Sequence, residues 1–348
     1  MTTESRAERW GAIAAPIALA VLVAIVLLLL AGANPFEAFK LIGEGAFSGW
    51  ANMGETLMAW VPLVLASAGL IITFNAGLWN IGIEGQIILG GIAASWAARE
   101  VGGPGWVVVP AAIIAGALGG MVWALFAGVL KTRFKVNEIF GGLGLDFVAA
   151  SLAVYLVIGP WKREGVASTS GTDLFRDEAL LPTVAENNRL SLVAIGLAIA
   201  GVIFVYYLMK GTMFGLRLKA VGRNVRSAFL LGIPTSRYML GAFALCGVLA
   251  GIAGSMQAIG FHFKLIPAIS GGYGFLGILV VLLAAFRAAW IAPIALFFIA
   301  MSRGSTQLAL RLDIDSALGG VITGILVLLV ILGGGWQARR LLRREAAS

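Results

Sequence analysis

Long, almost uninterrupted apolar stretches run through this sequence, and they leave few folds open to it. A helix needs about 20 mostly apolar residues to cross the roughly 30 Å hydrocarbon layer of a bilayer. Such stretches recur along the whole chain, near residues 12–31, 56–74, 82–98, 106–130, 138–158, 190–209, 236–256, 272–286, 288–302 and 318–335. We therefore predict an all-α polytopic membrane protein with about ten transmembrane helices.

The composition of the 348 residues agrees with that prediction. Hydrophobic residues make up 60% of the chain and charged residues only 12%, whereas a soluble domain has about 45–50% and about 25%. A soluble chain of this composition would expose large apolar patches and aggregate. Since no polar segment is long enough to bury a core of its own, we expect residues 1–348 to form a single transmembrane domain.

The scarcity of reactive side chains excludes several classes of protein. Cys246 is the only cysteine and His262 the only histidine, so we expect neither a thiolate cluster nor a histidine-ligated metal site. The phosphate-binding motif G-x-x-x-x-G-K-[ST] is absent from the sequence. The net charge of +8 comes from basic residues in short loops beside apolar stretches, which is typical of topology signals. We expect no cofactor in this chain and no nucleic-acid partner.

The distribution of Lys and Arg predicts the orientation of the spans, because basic residues concentrate in cytoplasmic loops. With both termini cytoplasmic, 16 of the 25 basic residues lie inside, whereas 11 acidic residues lie outside and 3 inside. This arrangement gives a mixed-charge external loop at about 159–189 and a basic cytoplasmic loop at about 210–236. The eighth and ninth stretches are short and are separated only by Arg287. They form either two half-helices or a broken, partly re-entrant element.

Three acidic residues lie inside the predicted spans, namely Glu84, Glu138 and Asp146. An ionisable side chain costs about 2.5–3.5 kcal/mol on insertion scales, so it usually faces a cavity or a partner. Glu84 and Glu138 lie near cytoplasmic span ends, where they either pair with Lys131 or Lys135 or belong to a site. Asp146 lies two turns beyond Glu138, which favours a position lining a polar cavity.

Residues 74–86 (FNAGLWNIGIEGQ) mix polar side chains with glycines between two apolar spans. Glycine lets a backbone turn sharply and lets helices approach closely. The segment is therefore either a tight structural hinge or part of a gate or translocation path. Its candidate pathway residues are Asn75, Trp79, Asn80, Glu84 and Gln86.

The predicted cytoplasmic loop contains an amphipathic pattern. Apolar positions recur with helical spacing at Val225, Ala228, Phe229 and Gly232. This spacing predicts a short helix at the membrane surface, and Pro234 marks its end. The helix either rests on anionic lipid or docks into a groove of a cytoplasmic partner.

Two further stretches are rich in small residues. The patterns Gly247-x-x-x-Gly251 and Ala250-x-x-x-Gly254 favour close packing between helices. Residues 269–275 (ISGGYGF) open the eighth span and can form a re-entrant corner that faces the pathway.

Four of these segments together resemble bacterial ABC-transporter permeases for nucleosides and simple sugars, which are relatives of the ribose and branched-chain amino acid permeases. The segments are residues 74–86 followed by GGIAA, 135–139 (KVNEI), 211–233 (GTMFGLRLKAVGRNVRSAFLLGI) and 270–275 (SGGYGF). The pattern of polar residues in 74–86 is most similar to the nucleoside branch. This chain departs from that branch at Asp146, where we expect Asn, and at Leu276, where a polar residue is common.

The resemblance implies a type II ABC importer-like permease fold and a role as the transmembrane subunit of an ATP-driven importer, most similar to those for nucleosides. The chain would itself be no enzyme, because ATP and Mg²⁺ would bind to separate cytoplasmic ATPase subunits. A second, non-identical permease subunit and an extracytoplasmic solute-binding protein would complete the assembly in the lipid of a bacterial inner membrane. The implied contacts with the ATPase are Gly222, Arg223, Asn224, Ala228 and Gly232.

The implied solute pathway has polar and aromatic members. Asn137 and Asp146 would add polar groups to those of residues 74–86. Trp79, Tyr273 and Phe275 have rings that can stack on a nucleobase.

Other functions compete with this one. The permease could carry a simple sugar or another small polar solute. The three acids in the spans could instead be proton or sodium sites of an ion-coupled secondary transporter, in which case an ionophore would abolish uptake at constant ATP. A membrane-embedded hydrolase or transferase is disfavoured, because the sequence offers no nucleophile–base arrangement.

Overall fold

The chain folds into α-helices joined mostly by short turns. The structure is a computed structural model and describes residues 22–305 except 24, 27, 31, 33, 164, 166–169, 186 and 187, together with single positions at 311, 320, 321, 324, 325 and 328. Within these residues there is no β-strand, and an isolated bridge pairs Ala185 with Asn188.

The α-helices of the described residues are numbered here in chain order. They are α1 Pro35–Phe47, α2 Gly49–Asn75, α3 Ile83–Glu100, α4 Gly105–Thr132, α5 Glu138–Ile158, α6 Leu192–Gly211, α7 Met213–Arg223, α8 Val225–Leu230, α9 Thr235–Ser255, α10 Tyr273–Leu283 and α11 Ile291–Gly304. A π-helical turn at Met256–His262 continues α9, and 3₁₀ turns lie at Asp177–Ala179 and Ala288–Trp290.

Five of these helices are long and apolar enough to cross a membrane, namely α2, α4, α5, α6 and α9 with its π-helical turn. A sixth span results if α10 and residues 288–304, which are bent by 117° at a short break, count as one. Helix α3 carries Glu84, Arg99 and Glu100 within its 18 residues, so its composition keeps it outside this count. The predicted stretches at 12–31 and 318–335 lie largely outside the described residues. The all-α polytopic fold is confirmed, whereas the count of ten spans is not.

Glycines hold α3, α4 and α9 against one another. A Cβ on Gly90 of α3 would overlap the backbone of Gly251 of α9, and a Cβ on Gly251 would overlap the carbonyl of Gly116 of α4. Gly120 and Gly247 approach each other in the same way. Such close backbone contact increases the van der Waals attraction between membrane helices. The predicted packing role of the Gly247-x-x-x-Gly251 pattern is confirmed.

The eighth predicted span is broken. Helix α10 has 11 residues, which makes it about 16 Å long, or roughly half the hydrocarbon thickness. Before it, Gly271 and Gly272 adopt left-handed φ angles of 60° and 75°. After it, the chain turns at Ala285 and Phe286 before the next helical segment. Of the two predicted alternatives, the sharp bend and the short helix favour a broken element.

The loop predicted to be external packs against the chain between α9 and α10. The N–H of Thr172 donates to the carbonyl of Leu265 at 2.9 Å, and the N–H of Phe175 donates to that of Phe263 at 2.9 Å. These bonds satisfy backbone groups that a helix would otherwise pair internally. The irregular backbone between α9 and α10 is therefore paired with this loop at two points.

The chain comprises two compact units. One is Leu57–Ala295, which contains every site residue described below, and the other is Met1–Thr56 with Leu296–Ser348. In the second unit, the side chain of Asn34 caps α1 by accepting from the N–H of Phe36 at 3.0 Å. Helix α1 escaped the sequence analysis because its 13 residues are too few to span a bilayer.

Candidate functional site

The segment between α2 and α3 is a compact turn. Helix α2 ends at Asn75 and α3 begins at Ile83. The N–H of Leu78 donates to the carbonyl of Thr73 at 3.0 Å, which folds the turn back onto the end of α2. Gly77 has a φ of 72°, a left-handed conformation that glycine adopts without strain. The glycines and polar residues of the sequence thus form a tight hinge.

Asn80 of that turn and Gln86 of α3 bind each other. The amide nitrogen of Asn80 donates to Oε1 of Gln86 at 3.2 Å, and that of Gln86 donates to Oδ1 of Asn80 at 3.0 Å. Asn80 also donates to Sγ of Cys246 on α9 at 3.2 Å. Both amides are fully buried, so in this conformation they join the turn to α9.

The carboxylate of Glu84 lies at the N-terminus of α10. It accepts a hydrogen bond from the N–H of Gly274 at 2.7 Å. The hydroxyl of Ser270 and the N–H groups of Gly272 and Phe275 also lie near this carboxylate. The first N–H groups of a helix have no partner within the helix and attract negative charge. Glu84 therefore connects the start of α3 to the start of α10, the first helix of the broken span.

Asp146 of α5 binds the same end of α3 from another side. Its Oδ1 accepts from the N–H of Gly85 at 2.7 Å. The indole nitrogen of Trp123 and Oδ1 of Asp146 both lie 2.8 Å from the point where a Cβ on Gly85 would sit. Among the described residues, Oδ2 of Asp146 and Nε1 of Trp123 are buried without a hydrogen-bond partner. Only glycine fits at position 85, because any side chain would displace these groups.

The structure brings four of the predicted pathway residues together at the first turn of α3. Asn80, Glu84, Gln86 and Asp146, which we call the polar cluster, are all 8% exposed or less. Their hydrogen bonds connect α3 with α5, α9 and α10. The polar cluster therefore links these helices in this conformation, and a movement of one helix relative to the others must break some of these bonds.

Asn137 and Glu138 lie outside the polar cluster, at the start of α5. The carboxylate of Glu138 pairs with the ammonium of Lys131 at 2.5 Å, which confirms the predicted structural ion pair. Oδ1 of Asn137 accepts from the N–H of Ile139 at 2.9 Å and so caps α5. Within the part of the chain that the structure describes, Glu84 forms no such pair with a lysine, and backbone N–H groups lie around its carboxylate instead.

The three predicted stacking residues differ in exposure. Trp79 is 44% exposed, with its ring centroid 5.0 Å from that of Phe74. Phe275 is 45% exposed, on the first turn of α10. Tyr273 is half-buried and lies beside Gln257. Trp79 and Phe275 thus have free ring surface, whereas Tyr273 is held in place.

The predicted ATPase-contacting loop touches the α2–α3 turn directly. A Cβ on Gly222, near the end of α7, would overlap the carbonyl oxygen of Asn75 and lie 2.9 Å from the carbonyl carbon of Ala76. A Cβ on Gly77 would lie 3.1 Å from the carbonyl oxygen of Gly222. The two backbones are therefore in contact, so displacement of α7 must move the turn that leads to the polar cluster.

The short amphipathic helix predicted from Val225 is present as α8, and a second helix, α7, precedes it. They are separated at Asn224, whose side chain caps α8 by accepting from the N–H of Ser227 at 2.9 Å. Ala228 is buried and Arg223 is exposed, and Gly232 ends the segment with a φ of 80°. The tip exposes three large apolar side chains, Phe229, Leu230 and Leu231.

Four site residues were not identified from the sequence. Gly85, Gly274 and Ser270 contribute N–H or hydroxyl groups to the carboxylates, and Trp123 lies beside Asp146. Gly274 and Ser270 belong to the glycine-rich stretch 269–275. Its composition indicated that the segment is unusual, but it did not indicate that the segment binds Glu84. Every residue except proline has a backbone N–H group, so the residue type does not show which N–H will bind a carboxylate. Only the structure identifies these pairs.

Comparisons with known proteins give consistent similarities. A family model described as "Branched-chain amino acid transport system / permease component" matches residues 52–331. The chain is 30% identical to glucose ABC transporter permease protein TsgB13 of Haloferax volcanii, over 92% of this chain and 88% of that protein. It is 26% identical to guanosine ABC transporter permease protein NupP of Bacillus subtilis, over 88% of each. The solved structure of PsaBC from Streptococcus pneumoniae in complex with Fab aligns with a TM-score of 0.48 at 14% identity, covering 85% of this chain and 95% of that one.

Proposed function

This chain belongs to the family of branched-chain amino acid transport system permease components, so it is a membrane-spanning permease subunit of an ABC transporter, and on that premise we propose that it serves ATP-driven nucleoside import. Separate cytoplasmic ATPase subunits bind ATP and Mg²⁺ and provide the energy. A second permease subunit, forming a heterodimer with this one, completes the pathway, and an extracytoplasmic binding protein delivers the solute. The assembly lies in a bacterial inner membrane with both termini of this chain in the cytoplasm.

The contact between α7 and the α2–α3 turn is the observation that carries this proposal. The exposed apolar tip at Phe229, Leu230 and Leu231 provides a surface that a partner groove can bury. Force applied there passes through the backbone contact of Gly222 with Asn75. The turn continues into α3, whose first turn carries the polar cluster. Closure of the ATPase dimer would thus rearrange the hydrogen bonds between α3, α5, α9 and α10, as a rigid-body switch between two arrangements.

The choice of nucleosides rests on the site and on one relative. Nucleosides combine hydroxyl groups with an aromatic base, and this chain has polar and aromatic groups near each other at the start of α3 and α10. Trp79 and Phe275 have exposed ring faces that can stack on a base. The similar Bacillus subtilis protein is named a guanosine permease.

A simple sugar is the second candidate solute. The Haloferax volcanii protein, at 30% identity over 92% of this chain, is named a glucose permease. Sugars also need hydroxyl-binding groups, so the polar cluster suits both solutes. The aromatic rings favour a nucleoside, because a planar base can stack over its whole face on an aromatic ring, whereas a hexose presents only the C–H groups of a puckered ring.

Uptake by the reconstituted transporter tests the proposal. Liposomes are prepared that contain this chain, the second permease and the ATPase encoded by neighbouring genes, and the binding protein. The uptake of labelled guanosine is then compared with the uptake of labelled glucose. We expect guanosine uptake that requires ATP inside the vesicles and persists in the presence of an ionophore. Uptake without any ATPase subunit would refute the coupling of transport to ATP. Uptake of glucose but not of guanosine would refute the proposal that the solute is a nucleoside.

A variant pair tests the docking tip. Phe229→Asp places a charge on an apolar surface, so we expect roughly a tenfold or greater loss of ATP-dependent uptake, since buried aromatic anchors contribute about 2 kcal/mol or more to an interface. Phe134→Asp is the matched control, because Phe134 is comparably exposed on another loop of the same predicted face. Equal losses in both variants would contradict a specific role for α8.

A further inference from the structure

A cavity of about 280 Å³ opens where α7 meets the end of α2, on the face predicted to be cytoplasmic. Its lining consists of Phe74, Asn75, Lys219, Gly222, Arg223 and Phe286. These residues come from three parts of the chain that meet at one point, namely the end of α2, the second half of α7 and the turn after α10. The volume suits a small molecule, because ligand pockets begin at about 300 Å³.

The cavity is positively charged. Lys219 and Arg223 are cations, and none of the six lining residues is acidic. The ammonium of Lys219 donates one hydrogen bond, to the carbonyl of Met209 at 2.6 Å, and an ammonium group has three donors. The surrounding segment 210–237 contains six basic residues and no acidic one. An anion entering this cavity therefore meets no opposing carboxylate from the lining or from that segment.

Two aromatic rings form the other side of the cavity. The ring centroids of Phe74 and Phe286 lie 6.0 Å apart at 72°, an edge-to-face arrangement. Phe286 has a φ of 60° and Ala285 one of 47°. A left-handed conformation is unfavourable for a residue with a side chain, and such strain concentrates at ligand sites and switches. The strained turn holds the Phe286 ring at the mouth of a cationic cavity.

We propose that this cavity binds a phosphate-bearing organic anion. Arginine and lysine are the side chains that most often bind phosphate oxygens, the first through a planar fork and the second as a point charge. The two rings can contact an apolar or aromatic portion of the same ligand, which a bare inorganic ion would leave unused. The ligand would lie at the backbone contact of Gly222 with the α2–α3 turn, so its binding would restrain that joint. The site is independent of the transported solute.

Direct binding to the full-length chain tests the site. The protein is placed in nanodiscs of zwitterionic phosphatidylcholine without ATPase subunits, and adenosine 5′-monophosphate, adenosine and inorganic phosphate are compared by equilibrium dialysis. We expect adenosine 5′-monophosphate to bind about tenfold or more tightly than adenosine, because hydrogen bonds to charged groups contribute about 1.5–3 kcal/mol. Inorganic phosphate should bind more weakly than the nucleotide, since it cannot contact the rings.

Three variants locate the binding. Lys219→Gln removes a cation from the lining and should weaken nucleotide binding by about tenfold. Phe286→Gly removes the ring and suits the left-handed backbone, so it should weaken nucleotide binding while leaving phosphate binding unchanged. Arg217→Gln is the control, because it removes the same charge from an exposed position of α7 outside the cavity. Equal weakening by Lys219→Gln and Arg217→Gln would overturn the proposal, because it would indicate general charge attraction.

An experiment with anionic lipid distinguishes two sources of the phosphate group, a soluble nucleotide and a lipid headgroup. Nanodiscs that contain phosphatidylglycerol are analysed by native mass spectrometry for lipid retained by the protein. Retention that is lost in Lys219→Gln but kept in Arg217→Gln, without nucleotide binding, would support the site and identify a lipid headgroup as its ligand. Failure of both ligands to bind in a Lys219-dependent manner would overturn it.

Discussion

At the residue scale, backbone N–H groups hold the buried carboxylates of this permease. Glu84 binds the N–H of Gly274, and Asp146 binds the N–H of Gly85. Each carboxylate sits where a helix begins, so it satisfies N–H groups that have no partner within the helix. These two side chains thus connect separate helices through backbone N–H groups, which every residue except proline carries. The cost of burying these polar side chains is offset by the hydrogen bonds that they accept from the backbone.

Substitution of Asp146 tests this description. Asp146→Asn keeps an oxygen acceptor of the same size for Gly85, so we expect the permease to remain close to wild-type stability. Asp146→Leu leaves the N–H of Gly85 buried without an acceptor, which should lower the free energy of unfolding by about 1–3 kcal/mol. Thermal unfolding midpoints of the two variants in the same detergent measure the difference. Equal midpoints would show that the Gly85 hydrogen bond contributes nothing.

The single thiol provides a second residue-scale prediction. Cys246 is completely buried beside Asn80, and only an accessible thiolate reacts readily. We expect N-ethylmaleimide to leave the native protein unmodified and to label it fully after denaturation. Phe229→Cys places a second thiol at a position that is 67% exposed in the wild type and should be labelled in the native state. Rapid labelling of Cys246 in the native protein would mean that α9 separates from the turn.

At the element scale, the glycines of α3, α4 and α9 determine how closely the helices approach. A Cβ at Gly251 would overlap the carbonyl of Gly116, whereas a Cβ at Gly144 of α5 would meet nothing within 4 Å. The same substitution therefore has opposite consequences on two helices. In the first position it must separate two backbones, and in the second it only replaces glycine by a better helix former.

The pair Gly251→Ala and Gly144→Ala measures this contrast. We expect Gly251→Ala to destabilise the protein by about 1–3 kcal/mol, as overpacking typically does. Gly144→Ala should be neutral or should stabilise by up to about 1 kcal/mol. Denaturant midpoints read through the circular dichroism of the helices provide the comparison. A stable Gly251→Ala variant would show that the helices can shift apart at no cost.

The helices differ in how well the sequence predicts them. The stretch 138–158 coincides with α5, and α2, α4, α6 and α9 lie within several residues of their predictions, because a bilayer imposes a minimum apolar length. Helix α8 begins at Val225, as its apolar spacing predicted, whereas α7 before it was not predicted as a helix. The carboxylates of the site were identifiable as buried charges. Their partners were not, because Gly274 lies 190 residues from Glu84 along the chain.

At the scale of the whole molecule, the charge distribution predicts which loops face the cytoplasm. Leu174 lies in the loop predicted to be external and Leu230 on the tip of α8, and they are 71% and 77% exposed. The buried Cys246 should not react with the label. A cysteine introduced at either of these two positions can therefore be labelled selectively in the otherwise unchanged protein. The orientation determines whether the α8 tip can meet a cytoplasmic ATPase at all.

Labelling of intact cells tests this orientation. A membrane-impermeant maleimide should modify Leu174→Cys in intact cells and should modify Leu230→Cys only after the membrane is permeabilised. The physical reason is the excess of Lys and Arg in the loop that carries Leu230, since basic loops are retained in the cytoplasm. Wild-type protein, with Cys246 alone, serves as the unlabelled control. The reverse pattern would place α7 and α8 outside the cell, where no ATP is available to drive them, and the proposed coupling would then be impossible.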